Sequence, residues 1–294
     1  MSMTTKADNL HETLRASIET LAAETDRVKQ DATFRAWLTS ISRFHHYSWG
    51  NQIRIAEQRP DATRVAGFQT WRKVGRFVKK GERGISITAP IIRKTAAAEE
   101  STNDGERLEL TAKGPRRVGG FKGAYVFDVS QTDGEPLPDA PEHNATAGGE
   151  TLLPKLEAAA AAFGIIVAYE AIPGRTEGYS MGGRVVVEES QPLPAMCGTL
   201  AHEIAHELMH KGAERGTKKQ RELEAEATAY VVLAHFGIHS GSCFYLHGYG
   251  ITGEMLTASM QTISATARRI IDQIEGANTD KGEAEEDSAL PLAA

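Results

Sequence analysis

Apolar residues recur at every third or fourth position near both ends of the chain, and they alternate with polar residues in short runs between. The helical spacing predicts amphipathic helices over residues 9–42, 152–163 and 255–274. The alternating spacing predicts strands, among them residues 85–90 and 124–132. This mixture of helices and strands predicts an α+β protein.

A stretch rich in proline and glycine interrupts these elements. Residues 136–149 contain Pro138, Pro141, Gly148 and Gly149 among acidic and small residues, which is typical of a linker. The 294 residues suffice for one large or two modest domains. We therefore predict an N-terminal domain, a linker, a C-terminal domain and a disordered acidic tail, at residues 8–138, 139–150, 151–275 and 276–294.

A His-Glu-x-x-His pattern lies in a largely apolar helical run. One helical turn separates His202 from His206, so both imidazoles can reach one ion while Glu203 lies beside it. Neutral imidazole is a good Zn²⁺ ligand, and the carboxylate is placed to take a proton from water whose pKa the ion lowers. The pattern predicts metal-assisted hydrolysis. The alternative is an ordinary amphipathic helix with three histidines, His210 included.

A second predicted helix offers the third ligand. Glu222 and Glu226 lie one turn apart, and Glu222 follows His206 by sixteen residues. We predict Glu222 as a metal ligand and Glu226 as a hydrogen-bond partner of a ligand histidine. A solvated acidic face is the alternative, and it fits Glu224 better than Glu222. Upstream, residues 179–187 predict a hairpin.

These residues carry a resemblance. His202-Glu203-x-x-His206 with Glu222-x-x-Ala225-Glu226-x-x-Ala229 resembles the ImmA/IrrE group of zinc metallopeptidases, whose second helix typically has Asn or Asp where this chain has Glu226. The resemblance implies a zincin-like C-terminal domain with zinc endopeptidase activity, for which Mn²⁺ or Co²⁺ are substitute ions. In peptidases of this type, an edge strand can hold an extended peptide by strand addition.

The net charge of −6 hides an uneven distribution of charge along the chain. From Arg43 to Lys94 there are twelve basic and three acidic residues. Aromatic and basic side chains together favour single-stranded nucleic acid, because bases stack on rings while Arg and Lys contact phosphates. A solvated basic loop and core positions for Trp49 and Trp71 are the alternatives. The candidate contact residues are Tyr47, Ser48, Asn51 and Gln52, expected to be exposed, with Arg72, Lys73, Arg76, Lys79 and Lys80.

The first half also resembles a known family. The matching segments are Tyr47-Ser48-x-x-Asn51, Gln58-x-Pro60-x-Ala62, Trp71-x-x-x-Gly75-Arg76-x-Val78-Lys79-Lys80-Gly81-Glu82-x-Gly84-Ile85 and Val126-Phe127-Asp128-Val129-Ser130-Gln131-Thr132-x-Gly134. They resemble the N-terminal domain of ArdC-type antirestriction proteins over roughly residues 10 to 138. The resemblance implies an α+β domain that binds single-stranded DNA (ssDNA) with tolerance of sequence.

The cysteines and the lack of long apolar runs bear on the cellular location of the protein. Cys197 and Cys243 form no disulfide framework and have no metal-ligand spacing. The polar start and the lack of a membrane-length apolar run predict a cytoplasmic protein without a membrane partner. The leading hypothesis is an ssDNA-binding zinc peptidase that acts on proteins at DNA, in antirestriction or mobile-element establishment. The alternatives are an ssDNA-coating antirestriction protein with a structural metal site and a repressor-cleaving peptidase. Protein substrate and oligomeric state stay open.

Overall fold

Most of the chain is described by the structure, a computed structural model. The described residues are 5–24, 27–94, 116–137, 148–174, 176–210, 216–238 and 252–276. The predicted acidic tail lies outside them except for Gly276, and so does most of the predicted linker. No helix within these ranges has the length and apolar character needed to cross a membrane.

The described residues form eight α-helices and eight strands. The helices are α1 (Lys6–Ala23), α2 (Arg27–Arg43), α3 (Trp49–Gln58), α4 (Phe68–Lys73), α5 (Gly148–Ala162), α6 (Leu193–His210), α7 (Lys218–His235) and α8 (Gly253–Glu275). The strands are β1 (Val65–Gly67), β2 (Arg76–Val78), β3 (Ile85–Lys94), β4 (Arg116–Asp128), β5 (Thr132–Gly134), β6 (Ile166–Glu170), β7 (Gly178–Ser180) and β8 (Arg184–Glu188). The predicted mixture of α and β structure is confirmed.

The N-terminal strands form one antiparallel sheet and one short ribbon. The sheet has the order β1-β4-β3, and the ribbon pairs β2 with β5. Along β3, Ile85 and Ile87 are buried while Ser86 between them is half-buried, as the alternating pattern predicts. These isoleucines pack in a small core with residues of the α2–α3 turn, α3 and β4.

The C-terminal half contains a second sheet, which lies next to helix α6. Its order is β6-β8-β7, with β8 parallel to β6 and antiparallel to β7. Residues 185–187 of β8 are buried valines, as expected for a central strand that is covered on both faces. The predicted hairpin over residues 179–187 is therefore present, and β7 is one of the two edge strands of this sheet.

The main hydrophobic core crosses the predicted domain boundary. Helices α1, α2 and α3 contribute to the same cluster of buried residues as α5 to α8. Phe34 and Leu38 of α2 belong to this cluster together with Leu200 and Ile204 of α6, and all four are fully buried. The helical stripe predicted over residues 9–42 is confirmed as core. Division into two domains at residues 139–150 stays a prediction.

A single buried carboxylate closes the end of the first sheet. Asp128 accepts hydrogen bonds from the backbone N–H groups of Thr63, Arg64 and Ser130 at 2.8–3.1 Å, and from the Ser130 hydroxyl at 2.6 Å. Burial alone would raise the pKa of Asp128, but these donors outweigh it and lower the pKa below its ordinary value. The carboxylate therefore stays ionised and joins the β1 entry to the end of β4.

We expect Asp128→Ala to lower the free energy of unfolding by about 2–3 kcal/mol, because buried donors lose a charged acceptor. A depressed folded pKa gives stability that is present above about pH 4 and lost as pH falls below it. Urea unfolding at neutral and acidic pH measures both effects. The wild type should weaken on acidification more than the variant. Asp61→Ala, at an exposed aspartate, is the control, and an equal loss in both variants would contradict this role.

Candidate metal centre and nucleic-acid interface

Helices α6 and α7 position the predicted metal ligands. Leu200, Ala201, Ile204 and Ala205 bury one face of α6, which leaves the adjacent stripe of histidines facing α7. On α7, Ala225 and Ala229 lie one turn apart and are buried, so little side-chain bulk stands on this face of the helix. The polar side chains at this junction consequently meet one another.

Three candidate ligand atoms converge at the junction. His202 Nε2 and His206 Nε2 lie 3.0 Å apart, and Glu222 Oε2 lies 3.7 Å from the first and 3.6 Å from the second. Ligand atoms around a tetrahedral Zn²⁺ with bonds of about 2.0–2.1 Å are separated by roughly 3.3 Å. The three side chains therefore fit a divalent ion. The Glu222 side chain is 45% exposed, so solvent reaches the centre from this side.

Hydrogen bonds on the far side of each ring orient the two histidines. His202 Nδ1 lies 3.1 Å from Glu226 Oε2, a carboxylate that can only accept when ionised. His206 Nδ1 lies 3.0 Å from His210 Nδ1, and His210 Nε2 lies 3.0 Å from Glu224 Oε2. If Nδ1 of His202 and Nδ1 of His206 both carry the proton and donate, the lone pairs of their Nε2 atoms point to the same place. This is the tautomer that a metal ligand needs.

Glu224 is not on a solvated face, and the expectation that it would be is wrong. The residue is only 7% exposed, and its carboxylate accepts from His210, Ser259 and Gln220. Burial raises the pKa of Glu224, but these hydrogen bonds outweigh it and lower the pKa overall. Two positions along a helix correspond to about 200°, so Glu224 faces away from Glu222 and meets α8 and His210. His210 is thus a partner of His206 that the sequence analysis left without a role.

The surroundings shift the pKa values of the two histidines in opposite directions. Burial would lower the pKa of His202, but the hydrogen bond to Glu226 and the nearby charges of Glu203, Glu226 and Glu222 raise it. Burial, together with His202, lowers the pKa of His206 to about 4. At neutral pH, His206 is therefore neutral, the form that coordinates metal.

Glu203 is buried between the helix and the edge strand. It is 7% exposed, and burial, with the nearby carboxylates of Glu222 and Glu207, raises its pKa above the ordinary value. A Cβ atom at Gly178 of β7 would lie 2.5 Å from Thr199 Cγ2 and 3.4 Å from Glu203 Cγ. Strand β7 therefore passes directly beside this carboxylate, and only a glycine allows that approach.

The β7–β8 turn is attached to helix α6 by a buried carboxylate. The backbone N–H groups of Gly182 and Gly183 donate to the two oxygens of Glu207 at 2.7 and 2.6 Å. Both glycines have positive φ, a conformation that turns successive N–H groups toward one acceptor. Glu207 follows His206 directly, so the hairpin and the histidine helix have one fixed relation.

The predicted nucleic-acid contact residues divide into exposed and buried groups. Arg72, Lys73, Lys79 and Lys80 are exposed, as is Ser48 at the start of α3. Tyr47 is half-buried, and its hydroxyl donates to the Val65 carbonyl. The guanidinium of Arg76 donates to the carbonyls of Thr132 and Glu135, so this side chain holds the β2–β5 ribbon together.

Asn51 and Gln52 are buried, so the expectation that both are exposed is wrong. The Asn51 amide bonds both the N–H and the carbonyl of Thr88, which fastens α3 to β3. Gln52 is fully buried; it donates to the Phe44 carbonyl and accepts from the Ser264 hydroxyl of α8. Their polarity serves backbone groups that would otherwise be buried without partners, and this internal use has no signature in a single sequence.

Exposed aromatic rings lie on the same half, and the sequence analysis missed them. Phe77 is 57% exposed in β2, between Arg76 and the Lys79–Lys80 pair. Phe121 and Tyr125 of β4 are also exposed, although the Lys6 ammonium lies 3.5 Å from the Tyr125 ring centroid. Trp71, by contrast, is fully buried and donates to the Phe127 carbonyl. The three-residue strand β2 alternates, and Phe77 is its outward position.

Comparisons with known proteins agree on one family for the N-terminal part. Residues 6–127 match the family described as the N-terminal domain of anti-restriction factor ArdC. The chain is similar to the Mn(II)-bound structure of antirestriction ArdC protein from R388 plasmid, with 19% identity, a TM-score of 0.50, and 94% of this chain and 98% of that chain covered. The metal-free structure of the same protein has 18% identity and a TM-score of 0.46, with 78% of this chain and 86% of that chain covered. No curated protein sequence gives a significant match.

The family match confirms the predicted ArdC likeness of the first half, and the match to the Mn(II)-bound structure shows an ArdC-like fold. The family match ends at residue 127, upstream of His202, His206 and Glu222. The likeness to the ImmA/IrrE group stays a prediction, which depends on the C-terminal residues and their geometry alone.

We expect His206→Ala to remove metal binding at this centre, and Glu226→Gln to weaken it by about 10–100-fold, because the amide no longer fixes the His202 ring as a carboxylate does. Competition between the protein and a chelator for Zn²⁺ measures the affinity. Glu254→Gln, at an exposed glutamate of α8, is the matched control. Unchanged affinity in Glu226→Gln would remove the orienting role of this carboxylate.

Proposed function

We propose that the chain is an ssDNA-binding metallopeptidase that acts on proteins at DNA, in antirestriction or the establishment of a mobile element. The observation that carries the proposal is the convergence of His202, His206 and Glu222 with the buried Glu203, beside an exposed edge strand. Metal-assisted peptide hydrolysis needs these groups: three ligands, a general base and a place for an extended substrate.

A divalent ion, Zn²⁺ with Mn²⁺ or Co²⁺ as substitutes, fits the three ligand atoms. When bound, it supplies Lewis acidity that lowers the pKa of water and polarises a carbonyl. The Mn(II)-bound structure of R388 ArdC supports a divalent ion in this fold. The ligands here combine two imidazoles with one carboxylate, a set that is common in hydrolytic zinc sites.

Glu203 carries the proton transfers. Its carboxylate takes a proton from water as the water oxygen bonds to the scissile carbonyl carbon, and it passes that proton to the amine nitrogen as the C–N bond breaks. Burial raises the pKa of Glu203, so the carboxyl holds a transferred proton more readily than an exposed glutamate would. A general base with a pKa nearer the working pH is more effective in both transfers.

Strand β7 is the proposed site for the substrate backbone. Among the described residues it pairs with β8 alone, so its other edge can accept an extended peptide. Tyr179 and Met181 present exposed apolar surface at this strand and at the turn that follows it. Because Gly178 lies against Glu203, a peptide added at β7 would pass close to the proposed base.

The N-terminal half supplies the proposed contact with ssDNA. The exposed Phe77 offers a stacking face, and the adjacent Lys79 and Lys80 offer charge for phosphates. This combination binds without demanding a particular base sequence, because every base has a π face. The family match over residues 6–127 supports the assignment of an antirestriction role.

A second function has its own support. The family match covers the N-terminal residues, and the Phe77–Lys80 surface needs no metal to bind a nucleic acid. A non-proteolytic protein that coats ssDNA, with a structural metal centre, is therefore the alternative. A repressor-cleaving peptidase is a third hypothesis. It assigns no function to the basic residues of the N-terminal half.

We expect Glu203→Gln to keep its metal and lose at least about 100-fold in cleavage rate, because the amide cannot accept the proton. Cleavage of a histone is followed by gel electrophoresis, with Zn²⁺ or Mn²⁺ and with or without ssDNA, and metal content is measured on the same samples. The exposed Glu189→Gln is the matched control. Removing the metal with a chelator should abolish cleavage in the wild type.

Full cleavage by Glu203→Gln would exclude this residue as the base. Cleavage that needs neither ssDNA nor the N-terminal contacts would favour a peptidase with an unrelated DNA-binding half. If the wild type cuts no protein under any of these conditions while it binds ssDNA tightly, the coating function replaces the peptidase.

We expect two different effects on ssDNA binding. Joint substitution Lys79→Ala and Lys80→Ala should reduce the slope of log affinity against log salt by about 1.4, since each phosphate contact contributes roughly 0.7. Phe77→Ala should weaken binding by about 10-fold or more with the slope unchanged, because stacking releases no counterions. Fluorescence anisotropy with labelled ssDNA at several salt concentrations measures both.

Joint substitution Lys218→Ala and Lys219→Ala, at exposed lysines of α7, removes the same charge from the other half of the chain and is the control. If this pair changes the slope as much as the Lys79–Lys80 pair, net charge rather than the β2 surface governs binding.

A further inference from the structure

A second group of histidines and carboxylates lies apart from the first. His45 and His46 are in the turn between α2 and α3, His235 is the last residue of α7, and Asp272 and Glu275 are in the last turn of α8. The turn, α7 and α8 are distant in sequence, so the fold brings together side chains that no short motif connects. We call these five residues the turn cluster.

The turn cluster has the spacing of a metal site. His45 Nε2 lies 3.9 Å from Asp272 Oδ1 and 3.9 Å from Glu275 Oε2. Ligand atoms of His45, His235 and Glu275 lie within 4.8 Å of one another, as do those of His45, His46 and Asp272. The two 3.9 Å separations are wider than the roughly 3.3 Å between ligand atoms around tetrahedral Zn²⁺, so the side chains would draw together around a bound ion.

Buried polar atoms in the turn cluster lack partners. Within the described part of the chain, neither ring nitrogen of His45 has a hydrogen-bond partner, and neither has Asp272 Oδ1. His45 is 6% exposed and Asp272 is 9% exposed, so water does not replace the missing partners freely. A buried imidazole without a partner is unfavourable, and so is a buried carboxylate oxygen without one; a shared ion would satisfy both.

The hydrogen bonds of His235 resemble those of a metal-ligating imidazole. Its Nδ1 lies 2.9 Å from the Ser42 carbonyl, which can only accept, so Nδ1 carries the proton and donates. Its Nε2 lies 2.8 Å from Glu275 Oε1. A second proton on Nε2, or an ion held by both atoms, would join this nitrogen to the carboxylate. Metal-bound histidines commonly donate their other N–H to a carbonyl in this way.

The electrostatic surroundings also favour a cation. Helices α7 and α8 both end at the turn cluster, and the C-terminal end of a helix carries partial negative charge. Arg268 Nε lies 3.4 Å from Asp272 Oδ2, which leaves the opposite oxygen, Oδ1, facing His45.

We propose that His45, His235 and Glu275 bind a second divalent transition metal ion of the zinc class, which ties the α2–α3 turn to the ends of α7 and α8. Asp272 Oδ1 faces the same His45 nitrogen at 3.9 Å. The site is structural: the ion would fasten N-terminal helices to the helix that carries Glu222 and to α8. His46 offers a further nitrogen ligand on the same side. The proposal is independent of the peptidase function, because it concerns different ligands and a different property.

The test is a count of metal ions. Bound metal is removed with a chelator, and the protein is reloaded with Zn²⁺ and desalted. The number of Zn²⁺ ions per chain is then measured by inductively coupled plasma mass spectrometry. We expect two ions in the wild type, one in His45→Leu, one in the joint variant His202→Ala with His206→Ala, and none when the three substitutions are combined. His11→Leu, at an exposed histidine outside both clusters, should keep two. Replacing Zn²⁺ with Co²⁺ should give visible absorption that loses one component in His45→Leu and the other component in the joint variant His202→Ala with His206→Ala.

A second readout separates loss of the ion from loss of the fold. In the His202→Ala and His206→Ala background, Zn²⁺ should still raise the thermal unfolding temperature, and adding His45→Leu should abolish that rise. Metal-free His45→Leu should be at least as stable as the metal-free wild type, because it removes a buried polar group without a partner. One ion in the wild type, or two in His45→Leu, would overturn the proposal.

The metal count also keeps this proposal separate from the proposed function. A wild type with two ions and no cleavage would leave the turn cluster standing while removing the peptidase. Cleavage that needs Glu203 in a protein with one ion, unaffected by His45→Leu, would do the reverse.

Discussion

The packing of α6 against α7 is the contact on which the candidate metal centre depends. One face of α6 is apolar and fully buried, so the rotation of this helix about its axis is determined by the core. The buried alanines of α7 allow close approach, and the two histidines then meet Glu222. Because the ligands come from two helices of one core, their spacing is a consequence of hydrophobic packing. The hydrogen bonds of His202 to Glu226 and of His206 to His210 then fix the orientation of the two imidazole rings.

Local spacing was enough to predict what lies within one helix. His202, Glu203 and His206 depend only on the helical repeat, and Glu222 and Glu226 depend on the repeat plus one assumption, that α7 faces α6. The alternation along residues 85–87 likewise predicted the buried face of β3. These features need no knowledge of distant contacts, because the periodicity itself decides which side chains share a face.

Properties that depend on distant partners could not be predicted in this way. Asn51 and Gln52 are polar and look like surface residues in the sequence. In the fold, their amides hydrogen-bond to β3, to the α2–α3 turn and to α8. In the sequence, a solvated acidic face fits Glu224 better than Glu222, whereas in the fold Ser259 of α8 makes Glu224 a buried acceptor. The turn cluster is the same case, since its members come from three separate segments. A buried polar residue is defined by its partner, and the partner is a property of the fold.

The shared core determines how the two halves of the chain can influence each other. Helices α1 to α3 pack in one cluster with α5 to α8, so the N-terminal helices support the helices that carry the metal ligands. The polar contacts repeat this connection: Gln52 of α3 bonds Ser264 of α8, and Tyr230 of α7 bonds Thr39 of α2. A displacement of α3 would therefore meet a packed interior rather than a flexible joint. Helix α7, which carries Glu222 and Glu226, belongs to that same interior, so the geometry of the candidate centre depends on the packing of both halves.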